Sequence, residues 1–449
     1  MEGGLGAPER HPLDWQSDDF YNREAIDAEL RRVFDICHGC RLCFNLCDSF
    51  PRLFDLIDES ESGELDTVNS ADFKPVVDAC TLCDMCFMST CPYTPPHEFQ
   101  LDFPHLMLRY RATEHRDGKT PFWDRQMTKT DRNGKLAGMT SGIANWATDR
   151  GNRITRPILE DIADVDRNAE LPKFHAKSFT AHAAHPPARN AEAPAAARKA
   201  VLYATCFVNY NNPGIGIATQ AILAANGVET EVVYPECCGM PQLEQGDLDD
   251  VARRAKNVAL AMKPWIKDGY DVIGLVPSCA LMLKFEWPLL LPDDPDVARL
   301  SKATKDVAEY VVDIARNEGL VAEPKPLDGG VSLHLACHAR AQNMGQKAAE
   351  MLRLIPDMDL KIIERCSGHG GSWGIKKDNF ETALKVGKNA ARAAGREDKA
   401  HVASECPLAG VHMLQGMERL NAENPDTFKA PPSVASHPVE LFARACGLL

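Results

Sequence analysis

Sixteen cysteines stand in this chain of 449 residues, and half of them lie between Cys37 and Cys91. Cys37, Cys40 and Cys43 follow one another at two-residue intervals, with Cys47 behind them. Cys80, Cys83 and Cys86 repeat the spacing, with Cys91 behind them. Three cysteines so spaced wrap a tight loop and offer thiolates to three irons of one [4Fe–4S] cube; where two cubes share a domain, the fourth ligand comes from the other run. The spacing therefore predicts two [4Fe–4S] clusters, one on Cys37, Cys40, Cys43 and Cys91, the other on Cys80, Cys83, Cys86 and Cys47. The competing chemistry is a pair of zinc sites, because paired CxxC units also make tetrahedral S4 centres. Two CxxCxxC runs with one further cysteine each suit clusters better. Interleaved ligation forces the two cubes together, close enough to pass electrons, whereas one alone would suffice to staple a loop.

The remaining cysteines are spread from Cys206 to Cys446. Cys206, Cys237 and Cys279 each follow a β-rich run, and so do Cys337, Cys366 and Cys406, at offsets of 131, 129 and 127 residues. A near-constant shift at equivalent places in β–α units indicates an internal duplication. Ligands of parallel α/β sheets sit beyond the carboxyl ends of the strands, which is where these cysteines fall. Cys206, Cys237, Cys238 and Cys279 offer four thiolates, enough for a cluster or a zinc ion. Cys337, Cys366 and Cys406 offer three, and need an outside ligand such as His338, His369 or water, leaving one metal position open. The bland alternative is a degenerate scaffold in which either copy keeps the fold and binds nothing. Gly239 and Gly368 let the backbone turn tightly beside these thiols under either reading. Cys446, in a helical run, reads as a packed thiol.

These residues carry a resemblance to CCG-domain iron–sulfur proteins. The first copy has Glu236–Cys237–Cys238–Gly239 and Pro277–Ser278–Cys279; the second has Ala336–Cys337–His338, the run from Cys366 to Gly374, and Glu405–Cys406–Pro407. The resemblance continues through Lys376, Lys377, His437 and Pro438, and covers most of the chain from about Cys37 onward. Pro92 resembles the bacterial ferredoxin pattern, whereas Asp48 replaces the proline of the first run, and the second run has four residues rather than three before its last cysteine. The family includes the cysteine-rich subunits of heterodisulfide reductase and iron–sulfur subunits of glycolate and lactate oxidases, of type-E succinate:quinone reductases and of anaerobic glycerol-3-phosphate dehydrogenases. A full CCG motif has five cysteines and, in heterodisulfide reductase, holds a noncubane cluster. Here Met282 stands in for the fifth cysteine of the first copy, and Ser367 and Ala409 for two in the second. The resemblance implies an additional noncubane cluster, or zinc, in these copies.

Positioning such ligands takes several elements. Strands are expected at 199–205, 228–234, 271–277, 331–336, 359–365 and 400–405, alternating with helices near 215–226, 246–267, 342–354 and 379–394. The fold class is therefore α+β and α/β: a helical, two-cluster ferredoxin-like domain (1–110), a helical docking segment (111–175), an exposed Ala/Pro linker (176–198), and two parallel-sheet CCG domains (199–325 and 326–449). The docking segment has exposed aromatics suited to a membrane surface or a partner protein, or else to packing on the first domain.

Lys plus Arg total 50 and Asp plus Glu 64, a net charge of −14. This argues against a nucleic-acid or anionic-membrane binder held by a broad electropositive face, while a local basic patch remains compatible. No apolar run reaches membrane-spanning length and no basic-then-apolar leader opens the chain, so the expected location is cytoplasmic, or peripheral on the inner face of the cell membrane. A dinucleotide fingerprint, a P-loop and a GxSxG elbow are absent. The expectation is a non-catalytic electron-transfer subunit, taking electrons from a flavoprotein dehydrogenase or other redox subunit and passing them to quinone or another acceptor. The alternatives are a heterodisulfide reductase-like enzyme with its catalytic cluster in the CCG domains, a donor to a soluble peroxide-reducing diiron protein of rubrerythrin type, and an adaptor whose C-terminal half binds nothing.

Overall fold

The computed structural model describes residues 7–449. In the C-terminal two-thirds, short apolar runs become strands because helices cover both faces of their sheets, so residues pointing either way are buried. In β1 (Lys199–Tyr203) four of the five residues are buried, and in β5 (Val331–His334) all four. With β2 (Glu229–Val233), β3 (Asp271–Gly274) and β4 (Thr304–Asp306), β1 makes a parallel sheet of order β2-β1-β3-β4. With β6 (Leu360–Ile363) and β7 (His401–Ser404), β5 makes a second parallel sheet of order β6-β5-β7. In register, Val201 faces Glu231 and Val272, and Leu333 faces Ile362 and Ala403.

The duplication expected from the cysteines is thus a duplication of topology, with β1 and β5 as equivalent central strands. It extends further than the cysteines indicated. Beside β3 lies β4, followed by helix Val307–Asn317, which opens with a capping box of Asp306 and Glu309. The equivalent place beside β7 is a single parallel bridge from Ala403 to Ser436, followed by helix Pro438–Ala445 with a capping box of His437 and Glu440. Both box residues recur after 131 positions.

Before Arg116 the described residues contain helices and no strand. Arg23–Cys40, Ser49–Asp58, Lys74–Asp78 and Phe103–Arg116 pack around an aromatic centre, with Phe34 edge-on to Phe73 at 5.1 Å and Phe50 at 4.7 Å from Phe103. The N-terminal arm crosses onto the first α/β unit: the Leu13 amide donates to the Leu289 carbonyl at 2.9 Å, and the Trp15 indole to the Leu290 carbonyl at 2.8 Å. One apolar core runs from Trp15 to Ala445, so the segments read from the sequence share an interior.

The Ala/Pro stretch 176–198 differs from the exposed linker expected. Its middle is exposed, but Phe179 is fully buried against Gly216, Ala195 is buried, and the Asn190 amide donates to the Ala224 carbonyl. One aromatic and a few small alanines were enough to anchor it. Among the described residues, no helix is long and apolar enough to cross a membrane.

Candidate metal centres

All sixteen cysteines are free thiols. Helix Arg23–Cys40 delivers Cys37 and Cys40 on its last turn and ends in left-handed Arg41. The second run curls through left-handed Leu82 and Asp84, either side of Cys83. Left-handed backbone is unfavourable for branched or charged residues, and the tight wrap imposes it. Cys37 lies within electrostatic reach of Cys40, Cys43 and Cys91. Cys47 stands in the same relation to Cys80 and Cys83, and Cys86 to Cys47, Cys80 and Cys83. The structure therefore brings together the two interleaved sets that the spacing predicts.

Burial pushes the Cys37 and Cys47 thiols up, and Cys43 and Cys83 up to about 12, with neighbouring thiols adding to the effect. Cys80 is also raised by burial, although the Arg111 guanidinium pulls it partly back. Such sets stay protonated as bare thiols and give up their protons when a metal's positive charge enters. Among the described residues no three His, Cys, Asp or Glu side chains close on one point as ligands of a single ion do. A zinc centre holds four sulfurs about 2.3 Å from one ion; a cube gives each thiolate its own iron and spreads them. The N-terminal donor sets, thiols alone in two groups of four, are of the kind a cluster takes.

In the first copy, Cys206 and Cys237 follow β1 and β2 and Cys279 follows β3, beyond the carboxyl ends of the strands. Their sulfurs form a chain: Cys206 to Cys237 at 3.6 Å and Cys238 to Cys279 at 3.3 Å. Cys237 alone is held well below the usual thiol range, by hydrogen bonding with the Cys206 and Cys238 thiols. Gly239 turns the chain in the left-handed region, and the fully buried Trp287 donates its indole N–H to the Cys238 carbonyl at 3.1 Å. Met282 is buried at the place of the missing cysteine.

Thr130 and Asp131 were not legible as site residues. They open helix Thr130–Met139, far from any cysteine in sequence, yet Asp131 Oδ1 accepts from the Cys237 amide at 3.0 Å and from the Tyr234 hydroxyl, while Oδ2 accepts from Arg254 at 2.8 Å. Only the fold makes them neighbours of the thiols.

In the second copy, Cys337 lies within electrostatic reach of Cys366 and Cys406. Burial raises all three thiols, Cys406 to about 11. Cys366 is nevertheless exposed at the surface. Gly368 is indispensable, because a Cβ there would lie 1.9 Å from the Ala383 carbonyl. His338 has both ring nitrogens committed, Nδ1 with Ser278 Oγ at 2.8 Å and Nε2 with the Leu82 carbonyl at 3.2 Å. It ties three regions together. His369 is half-buried, its imidazole held down at about 3 by desolvation and by His412, whose ring lies 6.3 Å away. Cys446 packs at the end of the last helix, half-buried.

The four sets adjoin in a fixed order. Cys86 is within reach of Cys43, joining the two N-terminal sets. Cys83 reaches Cys366 and Cys337, and Cys47 reaches Cys366, joining the second set to the second copy. Cys406 reaches Cys279, joining the two copies. Beside Cys80 and Thr81 lies a cavity of about 410 Å³, walled by Tyr110, Arg111, Glu244 and Trp373. The Lys376–Asp124 ion pair, at 2.6 Å, lies in the same wall.

The model of the cysteine-rich domain named CCG matches residues 200–284 and 331–413, each spanning one set of thiols and the three strands that lead to it. This chain carries two CCG domains. The C subunit of anaerobic glycerol-3-phosphate dehydrogenase of Escherichia coli (strain K12) is 26% identical over 309 residues, covering 68% of this chain and 75% of that protein. The B subunit of fumarate reductase (CoM/CoB) of Methanothermobacter marburgensis is 27% identical over 220 residues, 48% of this chain and 41% of that protein. Lactate utilization protein A of Bacillus pumilus is 29% identical over 189 residues, 40% of this chain and 75% of that protein. Both CCG matches fall in the second half of the chain, and their thiol sets are the ones at the strand ends.

Proposed function

We propose that the protein is an iron–sulfur electron-relay subunit of an oxidoreductase complex, fed by a flavoprotein dehydrogenase of glycerol-3-phosphate, lactate or glycolate type and discharging to quinone or another acceptor at the inner face of the cell membrane. The observation that carries the reading is the unbroken order of thiol sets, from Cys37, Cys40, Cys43 and Cys91, through Cys47, Cys80, Cys83 and Cys86, to the second CCG domain and then the first. Iron–sulfur clusters, bound at such sets, supply one-electron chemistry. The chain's own residues hold the thiols and lock their spacing through His338, Arg111 and Trp287. The cavity beside Cys80 gives a small acceptor a place next to the second set. The relatives' names, two of them those of oxidoreductase subunits, support a role inside a redox complex.

A second reading, a heterodisulfide reductase-like enzyme, rests on one observation: Cys366 is exposed in a set of only three thiols. Iron and labile sulfide per chain on anaerobically purified protein, with spectroscopy of both redox states, test the two. The relay requires about eight irons with two cube-type signals, and Cys83→Ala removing one of them. An added signal that Cys366→Ala abolishes, together with acceptor turnover, would favour the enzyme. Zinc in place of iron would overturn both.

A further inference from the structure

Cys37, Cys40, Cys43 and Cys91 form the outer end of the order of thiol sets. All four are partly exposed, whereas Cys80 and Cys86 of the next set are buried. The loop that carries Cys43 turns its apolar side chains outward, with Leu42 61% exposed and Phe44 47%. Phe44 lies parallel to the fully buried Phe54 ring, centroids 6.2 Å apart, so it is an anchored platform rather than a loose side chain. Across the set, Tyr93 lies beside the Cys40 thiol and 5.4 Å from the ring of Phe99, which is also exposed. Large apolar side chains grouped in water on both sides of one thiol set mark an interaction surface.

The charge around these side chains fixes the chemistry of what covers them. From Asp35 to Asp78 ten Asp and Glu stand against three Lys and Arg, a net of −7 in a chain whose total is −14. Nine of the ten carboxylates are exposed. The three cations are already paired, Arg41 with Asp58, Arg52 with Asp48 and Lys74 with Asp78. Asp55 follows Phe54 in the chain, and Asp58 and Glu59 stand one turn further along, beside Arg41 of the exposed loop. On the Phe99 side the cation Arg32 is paired with Glu29 at 2.7 Å, and Glu98 is exposed. A second copy of the chain would set these carboxylates against themselves. We infer that Leu42, Phe44 and Phe99 are the contact core, and the carboxylates the rim, of a docking site for a redox protein whose own cofactor edge is ringed by Lys and Arg.

This docking site rests on the relay reading and gives the relay its outer terminal, where the flavoprotein of that reading meets the chain. Each transfer moves one electron between the partner's cofactor and the first set, so one is oxidised as the other is reduced and no bond is made or broken. Opposite charges speed the encounter and the apolar core fixes its orientation. The carboxylates are exposed, so salt weakens their pull on a partner, whereas transfer between sets inside the chain is indifferent to it.

The test takes the full chain, purified anaerobically and reduced, with a lysine-rich c-type cytochrome as the probe and the same cytochrome with acetylated lysines as its control. Sedimentation reads binding and stopped-flow spectroscopy reads reduction of the ferric haem, each at low and high salt. The variants are Asp55→Lys/Glu59→Lys, Leu42→Asn and, in the second CCG domain, Glu423→Lys/Asp426→Lys. Lysines at the end of helix Ser49–Asp58 suit its dipole, so the charge reversal leaves the fold intact. The expected result is a second-order rate that falls about tenfold or more with high salt, with acetylation and in Asp55→Lys/Glu59→Lys. Leu42→Asn should weaken binding at unchanged iron content, and Glu423→Lys/Asp426→Lys should match wild type. Haem reduction that is indifferent to salt, acetylation and both variants would overturn the docking site and leave the relay standing. Self-association that Leu42→Asn abolishes would assign the face to a second copy and overturn it too. Salt-sensitive binding with no haem reduction would strike the relay and, with it, the redox role of this face.

Discussion

Glu244 shows what a single half-buried carboxyl does in this molecule. It lines the cavity beside Cys80, and a side chain at Gly371 would strike its carboxylate. Burial pushes it up to about 7, with Arg111 and the Ser372 amide pulling only partly back. A raised acid binds more protons folded than unfolded, so its contribution is intact below the unfolded value of 4.5 and declines as pH rises to about 7. Glu244→Gln keeps an acceptor for the Ser372 amide and removes the titration. Its melting temperature should match wild type near pH 4.5 and exceed it at pH 8, by about 1–3 kcal/mol in stability; equal curves at both pH values would show that the carboxyl is solvated. The grouping of the cysteines was legible because it lies in their local spacing. Thr130, Asp131 and Glu244 were not, since their roles come from neighbours more than a hundred residues away.

At the scale of elements, every strand expected from an apolar run is present, shorter by two or three residues, because the runs continue into the turns that carry the cysteines. The strand that was missed, β4, is three residues long with Lys305 at its centre, and a run that short has no period to read. The stretch 176–198 was misjudged because composition cannot show that Phe179 finds a socket at Gly216. The capping boxes were also unread, although they report the duplication as well as the cysteines do. In the second box the Glu440 carboxylate accepts from the His437 amide at 2.9 Å, and His437 Nδ1 accepts from the Val439 amide at 3.3 Å. Glu440→Ala should therefore leave the buried His437 N–H unpaired and cost about 1 kcal/mol, with Glu440→Gln recovering most of it. Chemical denaturation of the three proteins measures this, and equal losses in Ala and Gln would point to the charge rather than the box.

Across the whole molecule, the order of the thiol sets depends on the seam between the N-terminal helices and the first CCG domain, and a buried charge cluster holds that seam. Arg10, on the N-terminal arm, pairs with Asp84 at 2.6 Å, Asp102 at 2.9 Å and Glu286 at 3.1 Å, and lies over the Phe87 ring at 4.4 Å. Asp84 follows Cys83, and Glu286 belongs to the turn after Cys279, so one guanidinium spans two thiol sets. His105 adds a contact to Glu286 at 3.1 Å. Burial alone would raise the Glu286 carboxyl, but His105 and Arg10 outweigh it and hold it down at about 2. Burial and Arg10 would lower His105, but Asp102 and Glu286 outweigh them and raise it. The signs follow. Glu286 contributes stability that is present above 4.5 and lost as pH falls towards 2, whereas His105 contributes stability that is complete below 6.5 and lost as pH rises through its raised value. Arg10→Met keeps a long side chain over Phe87 and leaves three carboxylates facing one another, which should cost about 3–5 kcal/mol near neutral pH and open the arm to proteolysis between Arg10 and Asn22. Because the carboxylates left behind protonate more readily than in wild type, the deficit should narrow as pH falls from 4.5 towards 2. A deficit that stays constant over that range would mean that the arm is held by Leu13 and Trp15 alone, and that the seam is positioned by packing rather than by charge.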